Sequence, residues 1–430
     1  MPLKIHSLKP QRFIRTALSS AVLATILIQP ASAYSLDEHD TIIEKALKMG
    51  QDDAKYGQFK VDLRYRFEMA ETKNNTQDTG YANTLRLRLG YLTPEFHSFQ
   101  GYAEFEGNAS MQQDYFAPKG RGWTGDSGRE VIADPQAAEL NQLWISYKGI
   151  PDTELKAGRQ RINLNDQRFI GAVGWRQMEQ TFDAGVITNN SIENLTLQAG
   201  YIGRAQNIWS QKDEMQLPFA NINYKVPGYA NINIYGLWLA DFDDGQAGKS
   251  AQTYGISVSG SPKITDNINA LYHAEYSYQG DYKNSPVDFD ISRYSLMAGA
   301  EVYGVTLKAG VEELGTSNGR AFQTPLGTNH KFQGWADKFL VTPVNGVRDV
   351  NATVGYKIFS TKLAFVYHNF QSVTNSIDYG NEYDFVVSQK FGKHLKLLAS
   401  YAYYDADESN GLIAFNKDKH QFWLQAGVSY

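Results

Sequence analysis

The chain ends in His420-Gln421-Phe422-Trp423-Leu424-Gln425-Ala426-Gly427-Val428-Ser429-Tyr430. From Phe422 onward the apolar side chains take every second position: Phe422, Leu424, Ala426, Val428 and Tyr430. A period of two belongs to a β-strand whose two faces meet different surroundings. The same alternation opens the other end of the chain. Val61, Leu63, Tyr65, Phe67 and Met69 alternate there with Asp62, Arg64, Arg66 and Glu68. Leu85, Leu87, Leu89 and Tyr91 enclose Arg86 and Arg88, and Ala103 and Phe105 interleave with Glu104, Glu106 and Asn108. Three successive strands with charges on one face cannot be a soluble sandwich, because burying those charges unpaired is too costly. A barrel with lipid outside and water inside satisfies both faces.

Working inward from the two ends, further strands are expected near 138–148, 153–163, 181–189, 194–205, 217–227, 229–240, 250–260, 267–280 and 288–301. Others are expected near 304–313, 346–358, 361–371, 382–392, 394–406 and 418–430. With the first three the count is 18, with 16 and 20 as alternatives, and an even number places both termini on the periplasmic side. Short links such as Pro227-Gly228, Tyr303-Gly304, Phe359-Ser360 and Gly392-Lys393 read as periplasmic turns. Long polar links near 70–81, 109–137, 164–180, 206–216, 241–249, 314–345, 372–381 and 407–417 read as extracellular loops. The expected fold is therefore all-β, a transmembrane antiparallel β-barrel over residues 60–430. Eighteen strands leave a lumen too wide for wall side chains to fill, so loops must fold inward if it is to be selective.

Residues 1–33 read as a cleaved signal peptide. Lys4, Lys9, Arg12 and Arg15 precede a short apolar stretch from Ala17 to Ile28, and Ala31-Ser32-Ala33 forms a small-x-small site before Tyr34. Residues 34–59 form a short periplasmic segment with an amphipathic helix expected from Asp37 to Gly50. No run of 18 apolar residues follows, and the mean hydropathy is −0.44. Cysteine is absent, which removes disulfides, thiolate metal sites and thiol nucleophiles. The 27 Tyr, 22 Phe and 7 Trp suit strands girdled by aromatic belts. Together with the C-terminal Tyr430, which resembles the signal read by barrel-assembly machinery, these features point to a Gram-negative outer membrane.

The densest cationic segment runs from Lys156 through Arg159, Arg161 and Arg168 to Arg176. If the link 164–180 folds inward, these guanidiniums sit near the constriction as fixed charges for carboxylates or phosphates. Arg64, Arg66, Arg86 and Arg88 extend the basic strip, and Asp62, Glu104 and Glu106 face the same lumen. The bland alternative is that inward arginines pair with inward carboxylates to hold the wall together. Without the four cations of the signal peptide, 37 basic residues stand against 46 acidic ones, a net charge of −9. That total gives no support for a nucleic-acid partner.

The stretch from Gly158 to Gly185, GRQRINLNDQRFIGAVGWRQMEQTFDAG, resembles the alginate-export family of outer-membrane barrels. So do Thr324-Pro325-Leu326, His330-Lys331-Phe332 and Gly334-Trp335-Ala336-Asp337-Lys338-Phe339, and the opening Asp62 to Glu68 is similar to that family's first strand. The resemblance implies an 18-stranded, monomeric, porin-like barrel with an arginine-rich conduit and inward loops, passing a polyuronate in the namesake. Trp335, Asp337 and Lys338 are expected in a lid or plug element, with a surface cap as the alternative.

Catalysis is not expected. His273, His330 and His368 come without a nucleophile elbow, an HExxH motif or a phosphate-binding loop. No cofactor and no metal site are expected. The leading expectation is a passive channel for an anionic or polar solute, a class that includes oligosaccharides and polyuronates. The competitors are a general diffusion porin and an adhesion or structural barrel.

Overall fold

The computed structural model describes residues 37–119, 124–241 and 249–430. The expected signal peptide lies outside them. A helix, α1 (Asp37–Leu47), precedes eighteen long antiparallel strands in one sheet. These are β1 (Gln58–Thr72), β2 (Gly80–Leu92), β3 (Phe99–Asp114), β4 (Ala137–Ile150), β5 (Thr153–Gln160) and β6 (Thr181–Ile192). Then come β7 (Leu195–Gln206), β8 (Lys212–Val226), β9 (Ala230–Asp241), β10 (Ala251–Gly260), β11 (Ile268–Gly280) and β12 (Asp290–Val302). The last six are β13 (Val305–Leu314), β14 (Val347–Ile358), β15 (Thr361–Gln371), β16 (Asp378–Phe391), β17 (Leu395–Ala406) and β18 (Lys419–Ser429). A three-residue strand, Lys263–Thr265, follows β10 and pairs with the start of β11.

The sheet closes on itself, because β1 pairs with β18 from Asp62↔Ser429 to Thr72↔Lys419. Val61 and Tyr430 complete the seam by exchanging backbone hydrogen bonds of 3.1 and 2.8 Å. Among the described residues closure leaves no open sheet edge, which a hydrocarbon environment would not tolerate. The helix α1, the C-terminal Tyr430 and the short turns share one end, where Tyr430 Oη donates to Asp40 at 2.8 Å. At Tyr303 (φ 50°) and Gly304 (φ 80°) the two-residue turn takes the mirror-image conformation that matches strand twist.

Alternation decides which side chains face which medium. On β3 Phe105 is 63% exposed on the outside, whereas Glu106 is 1% exposed on the inside. The pattern fails along β7–β9, where Ile202, Leu217, Phe219, Tyr235, Leu237 and Leu239 are apolar and buried on the inner wall. Their partners are Ile162, Leu164, Ile170 and Leu326, from two links that fold into the barrel. Loop 161–180 thus carries its own apolar face against the wall. A second inner cluster seats Phe322, Ala336 and Phe339 of link 315–346 against Val347, Phe370, Tyr404 and Trp423. Link 207–211 is shorter than expected, because β8 begins at Lys212 with Arg204 and Glu214 paired across the ladder.

Candidate functional site: the lumen and its two inward loops

The two loops are bonded to each other as well as to the wall. Gly171 N–H donates to Leu326 O at 3.0 Å, and Thr328 N–H donates to Gln167 O at 2.9 Å. Wall arginines then hold the loop backbone. Arg64 donates to the carbonyls of Trp175 and Gly174, each at 3.0 Å. Arg66 donates to Trp175 O, to Gln425 Oε1 at 2.9 Å and to Asp134 Oδ2 at 3.1 Å, with its guanidinium 4.8 Å from the Trp175 ring centre. Loop carbonyls with no partner inside their own loop are thereby satisfied by fixed donors.

Arg176 joins three parts of the molecule. Its Nη1 lies 3.0 Å from both oxygens of Glu68 on β1, and its Nη2 lies 2.9 Å from Asp337 of link 315–346. His330 Nδ1 is 2.7 Å from the other Asp337 oxygen, and the His330 ring stacks on Trp175 at 4.6 Å. Burial alone would favour the neutral acid at Asp337, but His330 and Arg176 hold its carboxyl down at about 2. Burial likewise opposes the charge of Asp134, and Arg66, Arg176 and the Gln177 amide keep its carboxyl below the ordinary range.

The remaining expected site residues are mostly paired. Arg168 is buried, 3.2 Å from Glu312 and 2.9 Å from Gln333 Oε1. Arg88 lies 2.5 Å from Glu106 and 3.3 Å from Glu179. Arg86 pairs with Asp62, and Glu104 accepts from Tyr102 and Asn141 at 2.5 and 2.8 Å. Arg161 pairs with Glu179 and lies 3.6 Å from Glu104, yet its side chain keeps 36% of its surface open. Arg159 stands apart. It pairs across the ladder with Leu143 and Asp183, and Leu143 is half-exposed to lipid, so the register places Arg159 on the outer wall. There it grips Asp183 at 2.7 and 2.9 Å.

Trp335, Asp337 and Lys338 lie inside the barrel. Ala336 N–H donates to Glu382 Oε1 at 2.7 Å and Trp335 N–H to Asp384 Oδ2 at 3.2 Å, so two wall carboxylates cradle this turn. Gly334, at φ +74°, is the residue that allows it.

The unpaired cations are elsewhere. On the inner wall nearer the short turns, Lys390 of β16 stands directly opposite Lys396 of β17. Lys357 of β14 stands directly opposite Lys362 of β15. Lys308 of β13 faces Thr353 on the same wall. Their strand neighbours Leu307, Val354, Tyr356, Phe365 and Phe385 are the exposed, lipid-facing set, which fixes the lysines on the lumen side. None of the five makes an ion pair with a described residue, and Lys396 feels the charges of Lys390, Lys362 and Arg64. Like charges directly opposite each other weaken a sheet, so such an arc is not there for the wall's stability.

The model of the alginate export family matches residues 55–339, well over half of the sequence. The chain belongs to the alginate export family. No curated protein sequence matches it. Among solved structures, OccAB3 of Acinetobacter baumannii is similar at 13% identity and a TM-score of 0.69, over 87% of this chain and 99% of that one. A BenF-like porin from Pseudomonas fluorescens Pf-5 is similar at 15% identity and 0.68, over 87% and 99%. OpdK of Pseudomonas aeruginosa, solved with vanillate, is similar at 13% identity and 0.65, over 86% and 98%. At these identities the likeness carries the 18-stranded barrel and leaves the solute open. This member of the alginate export family is an outer-membrane channel.

The lysine arc was missed in the sequence because its members are scattered, one to a strand, over 308–396. The signal was present all the same: each lysine occupies the inward parity of a strand, as the arginines of β1 and β2 do. From Arg159 to Arg176 the cations are close in the chain but are mostly neutralised in space. Among the described residues no cluster of three or more His, Asp or Glu is arranged to hold a metal.

Proposed function

We propose that this member of the alginate export family is a passive channel for anionic or strongly polar solutes, a class that includes polyuronates and oligosaccharides. The arc of unpaired lysines at 308, 357, 362, 390 and 396 carries the reading. In a low-dielectric wall, fixed positive charge lowers the energy of an anion along the lumen and repels cations. Arg64 and Arg161, the arginines of the inward set that keep some open surface, continue that field toward the loops. In this reading Arg66, Arg86, Arg88, Arg168 and Arg176, with Glu104 and Glu106, are braces that shape the conduit. The vanillate of the OpdK structure is a carboxylate, which agrees with this chemistry. The barrel works as a single chain without catalysis, and Tyr430 at its closing seam serves its assembly.

Planar-bilayer reversal potentials under a salt gradient test the proposal. The expected result is anion preference, reduced in Lys362→Gln/Lys390→Gln, with oligouronates blocking the current. Cation preference in the unaltered protein would refute it.

A further inference from the structure

A second group of lysines gathers at the opposite, long-loop end of the barrel, far from the arc. Lys338 comes from link 315–346, Lys417 from the link before β18, and Lys419 from the first residue of β18. With Thr72, Asn75 and Glu130 they line one polar cavity of about 310 Å³. Two segments of the chain, link 315–346 and the stretch 417–419, bring three ammonium groups to that cavity, and none of the three is ion-paired with a described carboxylate. Lys419 Nζ donates to Ala336 O at 2.8 Å, and Lys417 Nζ reaches Asn75 Oδ1 at 3.4 Å. Lys338 has an aromatic face for company, its Nζ 5.2 Å from the Tyr404 ring centre.

The acids nearby do not neutralise this group. Asp337, on the cavity lining, has its two oxygens taken by Arg176 and His330. Glu130 accepts from Asn75 Nδ2 at 2.8 Å. Three positive charges against one unspent negative charge leave an excess of about two. Burial, reinforced by the repulsion of Lys419, pushes the Lys338 ammonium down to about 8. That group is held in place by the fold of link 315–346, whose neighbouring residues are cradled by Glu382 and Asp384.

We propose that this cavity is a binding site for a small doubly charged oxyanion at the extracellular mouth, held by Lys338, Lys417 and Lys419. Two closely spaced negative charges match the excess, and ammonium groups on flexible stems suit a tetrahedral or forked set of acceptor oxygens. The cavity is small enough for a phosphate group or a short dicarboxylate and too small for a polymer. An anion there stands on the extracellular side of the two inward loops, where solute arriving from outside is first concentrated. The site agrees with the anion preference proposed above but shares no residue with the lysine arc, so the two readings can fail separately.

Isothermal titration of the purified, folded barrel with inorganic phosphate tests it, with acetate as the monovalent comparison. Saturable phosphate binding is expected, weakened about tenfold or more by Lys417→Gln and by Lys338→Gln. Lys362→Gln/Lys390→Gln leaves it unchanged. Lys417 lies in a surface link, so its variant keeps the test valid even if Lys338→Gln disturbs the loop. Absence of saturable binding, equal binding of acetate, or binding within twofold of normal in Lys417→Gln would each overturn the proposal.

Discussion

Lys390 and Lys396 face each other across neighbouring strands with both ammonium groups in the lumen. Directly opposed like charges cost a sheet a fraction of a kcal/mol to about 1 kcal/mol. Removing one should therefore make the barrel slightly more stable while making it a poorer anion channel. Lys390→Gln is expected to raise the urea midpoint by the equivalent of about 0.5 kcal/mol and to shift the reversal potential toward zero. Both effects should shrink at about 1 M salt, where the screening length falls to roughly 3 Å. A stability gain with no change in selectivity would assign the lysines to solubility of the unfolded chain instead.

Arg176 should be the most sensitive single position in the loop assembly. It satisfies Glu68 on the wall and Asp337 on the second loop, and all three are buried. Truncating one member of a buried ionic set leaves the others uncompensated, typically at a cost of about 3–5 kcal/mol. Arg176→Ala is expected to lower the urea midpoint by that order and to make single-channel current larger and noisier as the loops detach. Arg159→Ala, on the outer wall, should leave conductance unchanged in the same measurement.

The barrel was largely legible in the sequence because each wall strand meets lipid on one face, and that boundary writes a period of two into the residues. It holds from Val61–Met69 through Phe422–Tyr430. Along β7–β9 it fails where Leu217, Phe219 and Leu237 face inward, because those positions answer to loop 161–180 rather than to water. Selectivity in a wide lumen asks for inward loops, but the sequence left a surface cap open for the Trp335–Lys338 element. Trp175, Trp335 and Asp337 lie inside the barrel because Arg66, Asp384 and the Glu68–Arg176 pair hold them there. What the sequence could not disclose is which cations are spent. Arg168 and Glu312 are far apart in the chain and 3.2 Å apart in space, whereas Lys357 and Lys362 have no such partner. Charge density along a chain is a poor guide to net field when long-range pairing decides it.

Acid should loosen the loop pair through Asp337. Its carboxyl sits at about 2 in the folded protein, below the roughly 3.9 of a free aspartate. The folded state thus binds fewer protons between those values, so the stabilisation is complete above about pH 4 and is lost as pH falls through about 2. Its size is on the order of 2 kcal/mol. Urea midpoints at about pH 6, 4 and 2.5 should fall only in the last interval, and Asp337→Asn should lower the pH 6 value and flatten that fall. An unchanged slope in Asp337→Asn would place the acid sensitivity on other carboxylates.

Gly334 and Gly319 give a matched pair within one link. Both have left-handed backbones, at φ +74° and +73°. A methyl group at Gly319 meets nothing within 4 Å, whereas one at Gly334 would run into the Glu382 carboxylate. Gly319→Ala should therefore cost only the left-handed penalty of roughly 1–2 kcal/mol. Gly334→Ala adds a clash with the carboxylate that accepts the Ala336 amide, so the turn must leave its cradle. The expected result is rapid proteolysis within link 315–346 and raised conductance for Gly334→Ala, with Gly319→Ala close to the unaltered protein on both counts. Equal behaviour of the two variants would mean that the Glu382 cradle does not hold the loop.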